Sequence, residues 1–516
     1  MTTAGLASMF VCVDSLLSEY FINCNLGQRG ELTQLNRGLE WLNRNFDGFA
    51  PGHQSGYYLY AVERVALASG FKYIGKTNWY EEGVNLLLSR QGSNGAIGDV
   101  VNTSFCILFL VRGRQPILFN KLQYEGDWNN RPRDLASLTR WISEVFEETV
   151  HWQIVNLRTD PSDWHDAPIL YISGSSRPDF SAEDLAKLRA FVHQGGTIFS
   201  STECGGQGFS VGMREVYEKL FPEYKMAEYP RDHEIYGLQF KLNERGNRVT
   251  FHGVSNGVRP LAIHTDADLS KTWQLQKGET QRWAFEAASN LFLYVTNQTL
   301  ARRGERAWPA APATGVAGVK LARLEWDGNW NPEPLAYERF SRLLAERNGM
   351  GLTVVPEVEI GKLSESGAKI AAITGTGKID LNAEQREALR RFVEGGGYLV
   401  VDAAGGDRQF DRSAERMLLD LFGRAALRPV DADNPLLNVS GNRIEKVQYR
   451  RRTAQRMAST RPNFKVAMFD GRPAVVYSGE DLTAGLVGYA SYTVDGYTPE
   501  SAFEIVRNIV LKAAGK

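Results

Sequence analysis

Apolar positions recur at three- and four-residue spacing through the first part of the chain, in Gly38-Leu39-Glu40-Trp41-Leu42, in Tyr57–Leu67 and in Val84–Leu88. That is the stripe of amphipathic helices sharing one buried face, and the glycines and short polar turns between the stripes predict about five helices over residues 1–118. From 119 onward the period changes. Short apolar runs at Lys121–Tyr124, Val150–Leu157, Ala167–Ile172 and Thr197–Ser201 alternate with helical stretches such as the one carrying Leu135, Leu138, Trp141 and Ile142. Strands alternating with helices over short loops predict a parallel, doubly wound sheet, whose ligands lie outside the carboxyl ends of the strands. Three loops occupy such places: Gly126–Asn129, Gly174–Arg177 and Ser201–Gln207.

The pattern then repeats. Phe180–Phe209 (FSAEDLAKLRAFVHQGGTIFSSTECGGQGF) returns as Leu381–Phe410 (LNAEQREALRRFVEGGGYLVVDAAGGDRQF). Ser181 with Asp184 has capping-box spacing, Phe180 and Leu185 are placed for a hydrophobic staple, and Gly195-Gly196 ends the helix. The earlier segment repeats too, Leu122–Asn129 as Leu324–Asn331, and Asn382 and Gly396-Gly397 take the places of Ser181 and Gly195-Gly196. The chain therefore divides into a helical segment (1–118), a first α/β copy (119–304), a linker (305–316) and a second copy (317–516). At the loop tips the copies part company: Asp402 stands for Ser201, Gly405 for Cys204 and Asn434 for His233.

Composition narrows the function. Lys+Arg 59 against Asp+Glu 60 leaves a net charge of -1, without the basic face that nucleic acid requires. The cluster Tyr449-Arg450-Arg451-Arg452 reads as a solvated strand end. Cys12, Cys24, Cys106 and Cys204 have neither C-x-x-C nor zinc spacing, so neither a disulfide framework nor a metal is expected. No cofactor motif is present and none is expected. No apolar run approaches the ~18 residues of a membrane helix, and the N-terminus lacks the basic region of a signal peptide. The helical pattern starts almost at Met1, so upstream sequence is expected, and with it a periplasmic or secreted location stays open.

Family resemblances add to this. The stretches GLEWLNRNF, YYLYAVERVALASGFKYIG, WYEEGVNLLLSRQ and NTSFCILFLVRGR resemble α/α-toroid repeats of the terpenoid cyclase and prenyltransferase superfamily, including the squalene cyclases, and Gln91–Ile97 resembles its Q-x-x-x-G-x-W turn with Ile97 in place of tryptophan. Neither the acidic D-x-D-D motif nor a zinc-ligand set accompanies them. In the first copy, Tyr-x-Gly-Asp-Trp, the S-x-E-x-x-x-x-L-R-x-F-V-x-x-G-G helix and the segments Pro230–Tyr236, Ser255–Arg259 and Asn290–Tyr294 resemble the domain of unknown function 4159, similar in fold to class I glutamine amidotransferases. The resemblance implies two tandem flavodoxin-like, amidotransferase-like α/β domains after a partial toroid.

It also implies where chemistry would lie. Class I amidotransferases carry a cysteine on a G-x-C-x-G elbow, assisted by a later H-x-E; here Cys204 precedes Gly206 but follows Thr202-Glu203, and His233 with Glu234 comes next. Cys204, His233 and Glu234 are the catalytic candidates, with Ser201 or Thr202 as alternative nucleophiles. Gly126, Asp127, Trp128, Gly174, Ser175, Ser201, Thr202, Gly205 and Gly206 are the ligand-binding candidates. His264, Asp266 and Asp268 read as a solvated loop rather than metal ligands. The second copy has no histidine or cysteine, leaving Asp402 and Asp407 as its only candidates. The leading expectation is a non-catalytic scaffold binding a small molecule or protein at the first copy, the two copies packing as an internal pseudo-dimer. The competing expectations are a hydrolase or amidotransferase-like enzyme using Cys204 and His233, and a terpenoid-binding or cyclase-related protein.

Overall fold

The computed structural model describes residues 2–16, 18–24, 32–46, 48–49, 56–242, 249–311, 318–423 and 426–516. The helical segment holds five α-helices among these, Thr2–Leu16, Thr33–Asn45, Gly56–Ser69, Trp79–Arg90 and Val100–Gly113. They bury Leu6, Phe10, Leu42, Val62, Val65, Trp79 and Phe109 in one core, and the side chains of Asn78 and Asp99 cap the last two. A short ribbon that periodicity missed, Tyr73–Ile74 against Thr77–Asn78, joins the third helix to the fourth. The segment is fastened to the first α/β copy. Phe71 bridges Ile154 on the outer strand, the Ile154 amide donates to Gly70 O at 2.6 Å, and Lys72 pairs with Asp166 at 3.0 Å. An edge that would otherwise be open for pairing is thereby covered.

Each α/β copy is a seven-stranded sheet. The first uses Ile117–Gln123, His151–Asn156, Ile169–Gly174, Thr197–Thr202, Ala227–Glu228, His252–Ser255 and Pro260–Thr265; the second uses Gly318–Glu325, Gly351–Glu359, Ile370–Gly375, Tyr398–Ala403, Leu427–Pro429, Lys465–Phe469 and Arg472–Ser478. Numbered within each copy, both have the spatial order 2-1-3-4-7-6-5. Strands one to four and seven are parallel, whereas strand six runs against them, pairing antiparallel with both seven and five. The expectation of a wholly parallel sheet is corrected here. Only Asn256–Arg259 separates strands six and seven, and a parallel crossover needs about a dozen residues or more.

The repeated helix behaves as its spacing predicts. Ser181 and Asp184 form a full capping box, as do Asn382 and Gln385. Gly195 and Gly396 have φ of 113° and 97°, a conformation that favours glycine. An arginine adds to this stop: Arg259 donates to Gly196 O (3.0 Å) and to Val192 O (2.6 Å), which also accepts the Gly195 amide, and Arg472 makes the same pair of bonds to Gly397 O and Val393 O.

The copies meet through unlike surfaces, not as a twofold pseudo-dimer. The first offers its Asn256–Arg259 hairpin turn and His165; the second offers Asn329–Glu333 and Tyr489. Arg259 Nε and Nη2 donate to Glu333 (2.8 and 3.2 Å), Asn256 Nδ2 donates to Glu333 Oε1 (3.0 Å), and His165 Nδ1 lies 2.5 Å from the Tyr489 hydroxyl. The corresponding turn of the second copy, Asp470-Gly471, is exposed. Nor is the linker a free tether at its start: just before it Arg303 lies over Trp79, and within it Arg306 lies over Tyr489. Arg450 is likewise no solvated strand end. It is buried and donates to Tyr497 O and Tyr489 O.

Candidate functional site

In a doubly wound sheet of order 2-1-3, the crevice opens between strands one and three. The Gly126–Trp128 loop after Ile117–Gln123 and the Gly174–Ser176 loop after Ile169–Gly174 meet there. Asp127 joins them: its Oδ2 accepts the Ser175 and Ser176 amides (2.8 and 3.2 Å), the Ser175 hydroxyl, and Asn130 Nδ2 at 3.3 Å. Burial opposes the Asp127 charge, but these bonds outweigh it and hold the carboxyl below its ordinary value. Its contribution to stability is lost only as pH falls through that lowered value. Gly206 packs where a Cβ would lie 2.1 Å from Ser175 O, and a Cβ on Gly174 would lie 2.5 Å from the Tyr124 hydroxyl. Both glycines are therefore required for close approach.

Gly126, Asp127 and Trp128 wall a cavity of about 620 Å³ between this crevice and the helical segment. Phe10, Phe21, Leu32, Leu35 and Leu39 form its apolar side, while Gln123, Asp127, Asn129, Asn130 and Arg133 form the polar one. Helix Thr33–Asn45 presents Leu35 and Leu39 to it. The fourth-strand loop lies deeper: Ser201 donates to Ala267 O at 2.9 Å, Thr202 Oγ1 is buried without a hydrogen-bond partner among the described residues, and neither residue lines this cavity.

Behind the crevice lies a buried polar cluster that sequence reasoning missed. Glu203 is fully buried; Asn130 Nδ2 donates to its Oε2 (2.6 Å) and Ser270 Oγ to its Oε1 (3.0 Å). Lys121 and Asp134 form a buried ion pair beside it at 2.9 Å. Desolvation pushes the Glu203 carboxyl up to about 7, against the pull of Lys121 and with help from Asp134 and Asp268. A carboxyl whose folded value is raised contributes fully below its unfolded value and loses that contribution as pH climbs through the folded one. Glu203→Gln is thus expected to gain stability relative to the wild type, by on the order of 3 kcal/mol between pH 4.5 and about 8. Urea unfolding at several pH values measures this, and parallel curves would contradict it.

Cys204 requires a correction. It sits at a left-handed elbow (φ 56°) between the fourth strand and helix Gln207–Leu220, the position anticipated for a nucleophile, but it is disulfide-bonded to Cys24. A sulfur held in a disulfide is no thiolate, and the elbow amide is already engaged, Cys204 N donating to Asp268 Oδ2 at 2.8 Å. The expectation that no disulfide forms is overturned by the same bond.

His233 and Glu234 are not brought to Cys204 by any hydrogen bond among the described residues. The His233 ring stacks on Tyr229 at 4.1 Å between centroids, its Nδ1 accepts the Ile235 amide, and its Nε2 faces the Tyr294 hydroxyl at 3.5 Å. Glu234 pairs with Arg452 at 3.4 Å. In the second copy Asn434 Oδ1 caps Leu436 N in the same way, so the shared task at this place is to accept an amide hydrogen bond, which needs no base.

His264 is buried in a second chain of polar groups rather than in a solvated loop, whereas Asp266, which ends that chain, is exposed as expected. Tyr217 OH donates to Ser200 Oγ (2.7 Å), Ser200 meets His264 Nδ1 (2.7 Å), and His264 Nε2 faces Asp266 at 3.1 Å. Ser200 and His264 are fully buried. Both imidazole nitrogens thus have partners, Ser210 Oγ also reaching Nε2 at 3.2 Å, and burial holds the pKa of the ring below its ordinary value. Among the described residues no group of three or more His, Cys, Asp and Glu is placed to hold a metal ion, and no helix is long and apolar enough to cross a membrane.

A family model for a domain of unknown function, DUF4159, matches residues 118–296 and again residues 320–513. The chain belongs to this family. No curated protein matches the chain. Among solved structures, a crystal structure of a "putative phosphosugar isomerase" from Silicibacter pomeroyi is similar at 9% identity over 56% of this chain and 75% of that one, with a TM-score of 0.13, a likeness that carries no argument.

The second DUF4159 domain has its own crevice partly occupied by the first, and its Gly328–Trp330 loop lines a cavity of about 730 Å³ shared with Arg189, His193 and Tyr224 of the first domain. Val258 of the first domain packs on Ala404, Ala484 and Val494, its carbonyl accepts from Thr493 Oγ1 (2.7 Å), and Asn329, the counterpart of Asp127, donates to Asn256 O at 2.7 Å. Ala404 stands where the first domain has Glu203. Asp402 is buried, not part of a surface aspartate pair, and binds the Leu482 and Thr483 amides and the Thr483 hydroxyl. Asp481 accepts the Gly405 amide (2.8 Å), as Asp268 accepts that of Cys204, and burial with the nearby Asp402 pushes its carboxyl above the ordinary value. Asp407 caps the following helix through the Gln409 and Phe410 amides.

Proposed function

We propose that this protein is a non-catalytic ligand-binding scaffold whose ligand lies in the cavity between the helical segment and the first DUF4159 domain. The observation that carries this reading is the wall of that cavity. Its Gly126–Trp128 loop is at the crevice where doubly wound sheets take ligands, whereas the equivalent loop of the second domain is engaged by the hairpin of the first. One apolar side and one side of amide, carboxylate and guanidinium groups suit an amphipathic small molecule, its polar end towards Asn129, Asn130 and Arg133. Support against the hydrolase reading comes from the engaged Cys204 sulfur and elbow amide and from the capping role of His233. The amidotransferase-like and toroid resemblances rest on sequence motifs. The Cys24–Cys204 bond favours an oxidising compartment.

The test uses exposed positions on the cavity rim, so that the core is left intact. Asn36→Trp and Asn129→Trp are expected to keep the far-UV circular dichroism of the wild type and to weaken its binding of the amphiphilic probe 1-anilinonaphthalene-8-sulfonate at least 10-fold. Undiminished binding in both variants would remove the cavity from the account.

A further inference from the structure

We propose that the Cys24–Cys204 disulfide is a thiol-exchange site in which Cys24 is the sulfur attacked and Cys204 the thiolate released. The two sulfurs have unlike surroundings. Cys24 is exposed, just beyond the short turn Ser18–Phe21. Cys204 is half-buried on its elbow, three residues before the 14-residue helix Gln207–Leu220, whose amino end favours negative charge. The guanidinium of Arg131, itself fully buried, places Nη2 at 3.2 Å from Cys204 Sγ and at 3.8 Å from Cys24 Sγ. Phe21 O and Ile22 O hold Arg131 in place.

The other charged groups near Cys204 are named with it. Asp268 binds the Cys204 amide and lies 3.9 Å from Arg131 Nη2, so it offsets part of the guanidinium charge. Glu203 stays protonated up to about pH 7. Lys121 and Asp134 neutralise each other. A guanidinium thus contacts the Cys204 sulfur directly, which stabilises a leaving thiolate and speeds exchange.

In the first step an incoming thiolate forms a bond to Cys24 Sγ as the Cys24–Cys204 bond breaks, and the electron pair leaves on Cys204 Sγ. The products are a mixed disulfide at Cys24 and a thiolate at Cys204. A second thiolate then attacks the incoming sulfur, releasing Cys24, which takes a proton, while the reagent leaves oxidised as its own disulfide. The fitting partner is a small-molecule thiol or an exposed protein thiol. Exchange removes the covalent tie but leaves the bonds of Arg131 to Phe21 O and Ile22 O.

Intact protein is treated with reduced glutathione, quenched with acid, alkylated with iodoacetamide and mapped by peptide mass spectrometry. The expected result is glutathione on Cys24 and a carbamidomethyl group on Cys204. At quench times short enough to trap the first step, glutathione on Cys204 rather than on Cys24 would overturn the proposal. In the phosphine-reduced chain, the alkylation rate of Cys204 is expected to titrate below the ordinary thiol value of about 8.5 and below Cys24. A midpoint at or above that of Cys24 counts against it. Arg131→Gln is expected to slow exchange at least 10-fold and to raise the Cys204 midpoint, and an unchanged rate and midpoint in the folded variant would contradict the role of Arg131. The wild-type profiles keep the test decisive if that variant fails to fold.

Discussion

Glu333→Ala is expected to lower the free energy of unfolding by about 3–5 kcal/mol, the range for removing one partner of a buried ion pair. The Glu333 carboxylate is fully buried and receives three hydrogen bonds from the first domain, two from Arg259 and one from Asn256. Without it, Arg259 keeps its bonds to Gly196 O and Val192 O but remains a buried, unpaired charge. Because this cluster crosses between the domains, the loss is expected to appear as separation of their unfolding into two transitions. Urea unfolding followed by tryptophan fluorescence measures both effects, and a single transition displaced by less than about 1 kcal/mol would contradict the reading. Glu333→Gln, which keeps acceptor and shape, is expected to cost less.

Loss of the disulfide should rank next. Cys24 and Cys204 are 180 residues apart, and closing so long a loop restricts the unfolded chain, with an expected loss of about 2–5 kcal/mol on breaking it. Cys24→Ser, Cys204→Ser and the reduced wild type are expected to lose stability alike under identical conditions, since each removes the same crosslink. Differential scanning calorimetry tests this. Unchanged unfolding of Cys24→Ser beside oxidised wild type would show that the bond contributes nothing.

Local chemistry was readable from the sequence. Ser181 with Asp184, Asn382 with Gln385 and the paired glycines act within a few residues, so spacing alone identifies them, and the repeat doubles the signal. The Gly126–Trp128 loop was found because the alternation of strand and helix fixes where a crevice opens. What escaped depends on distant parts of the chain. Nothing near Cys24 points to Cys204, and the Ser255–Arg259 segment was noted as a family feature without sign that Val258 would occupy part of a crevice made of residues 404–494. Glu203 lay inside a loop already singled out, but its partners Asn130 and Ser270 come from opposite sides in sequence. The shortness of Asn256–Arg259 was a legible signal for an antiparallel turn. His233 misled because a histidine beside a glutamate suggests a base, and only Asn434 in the repeat reveals the capping task.

Native mass spectrometry of the whole chain, after incubation with an extract of small molecules and lipids, tests most directly whether the first domain binds without catalysis. The account predicts one retained adduct of constant mass, lost in both Asn36→Trp and Asn129→Trp and kept in Cys204→Ser. Conversion of an extract component to product by the wild type, abolished in Cys204→Ser, would contradict it.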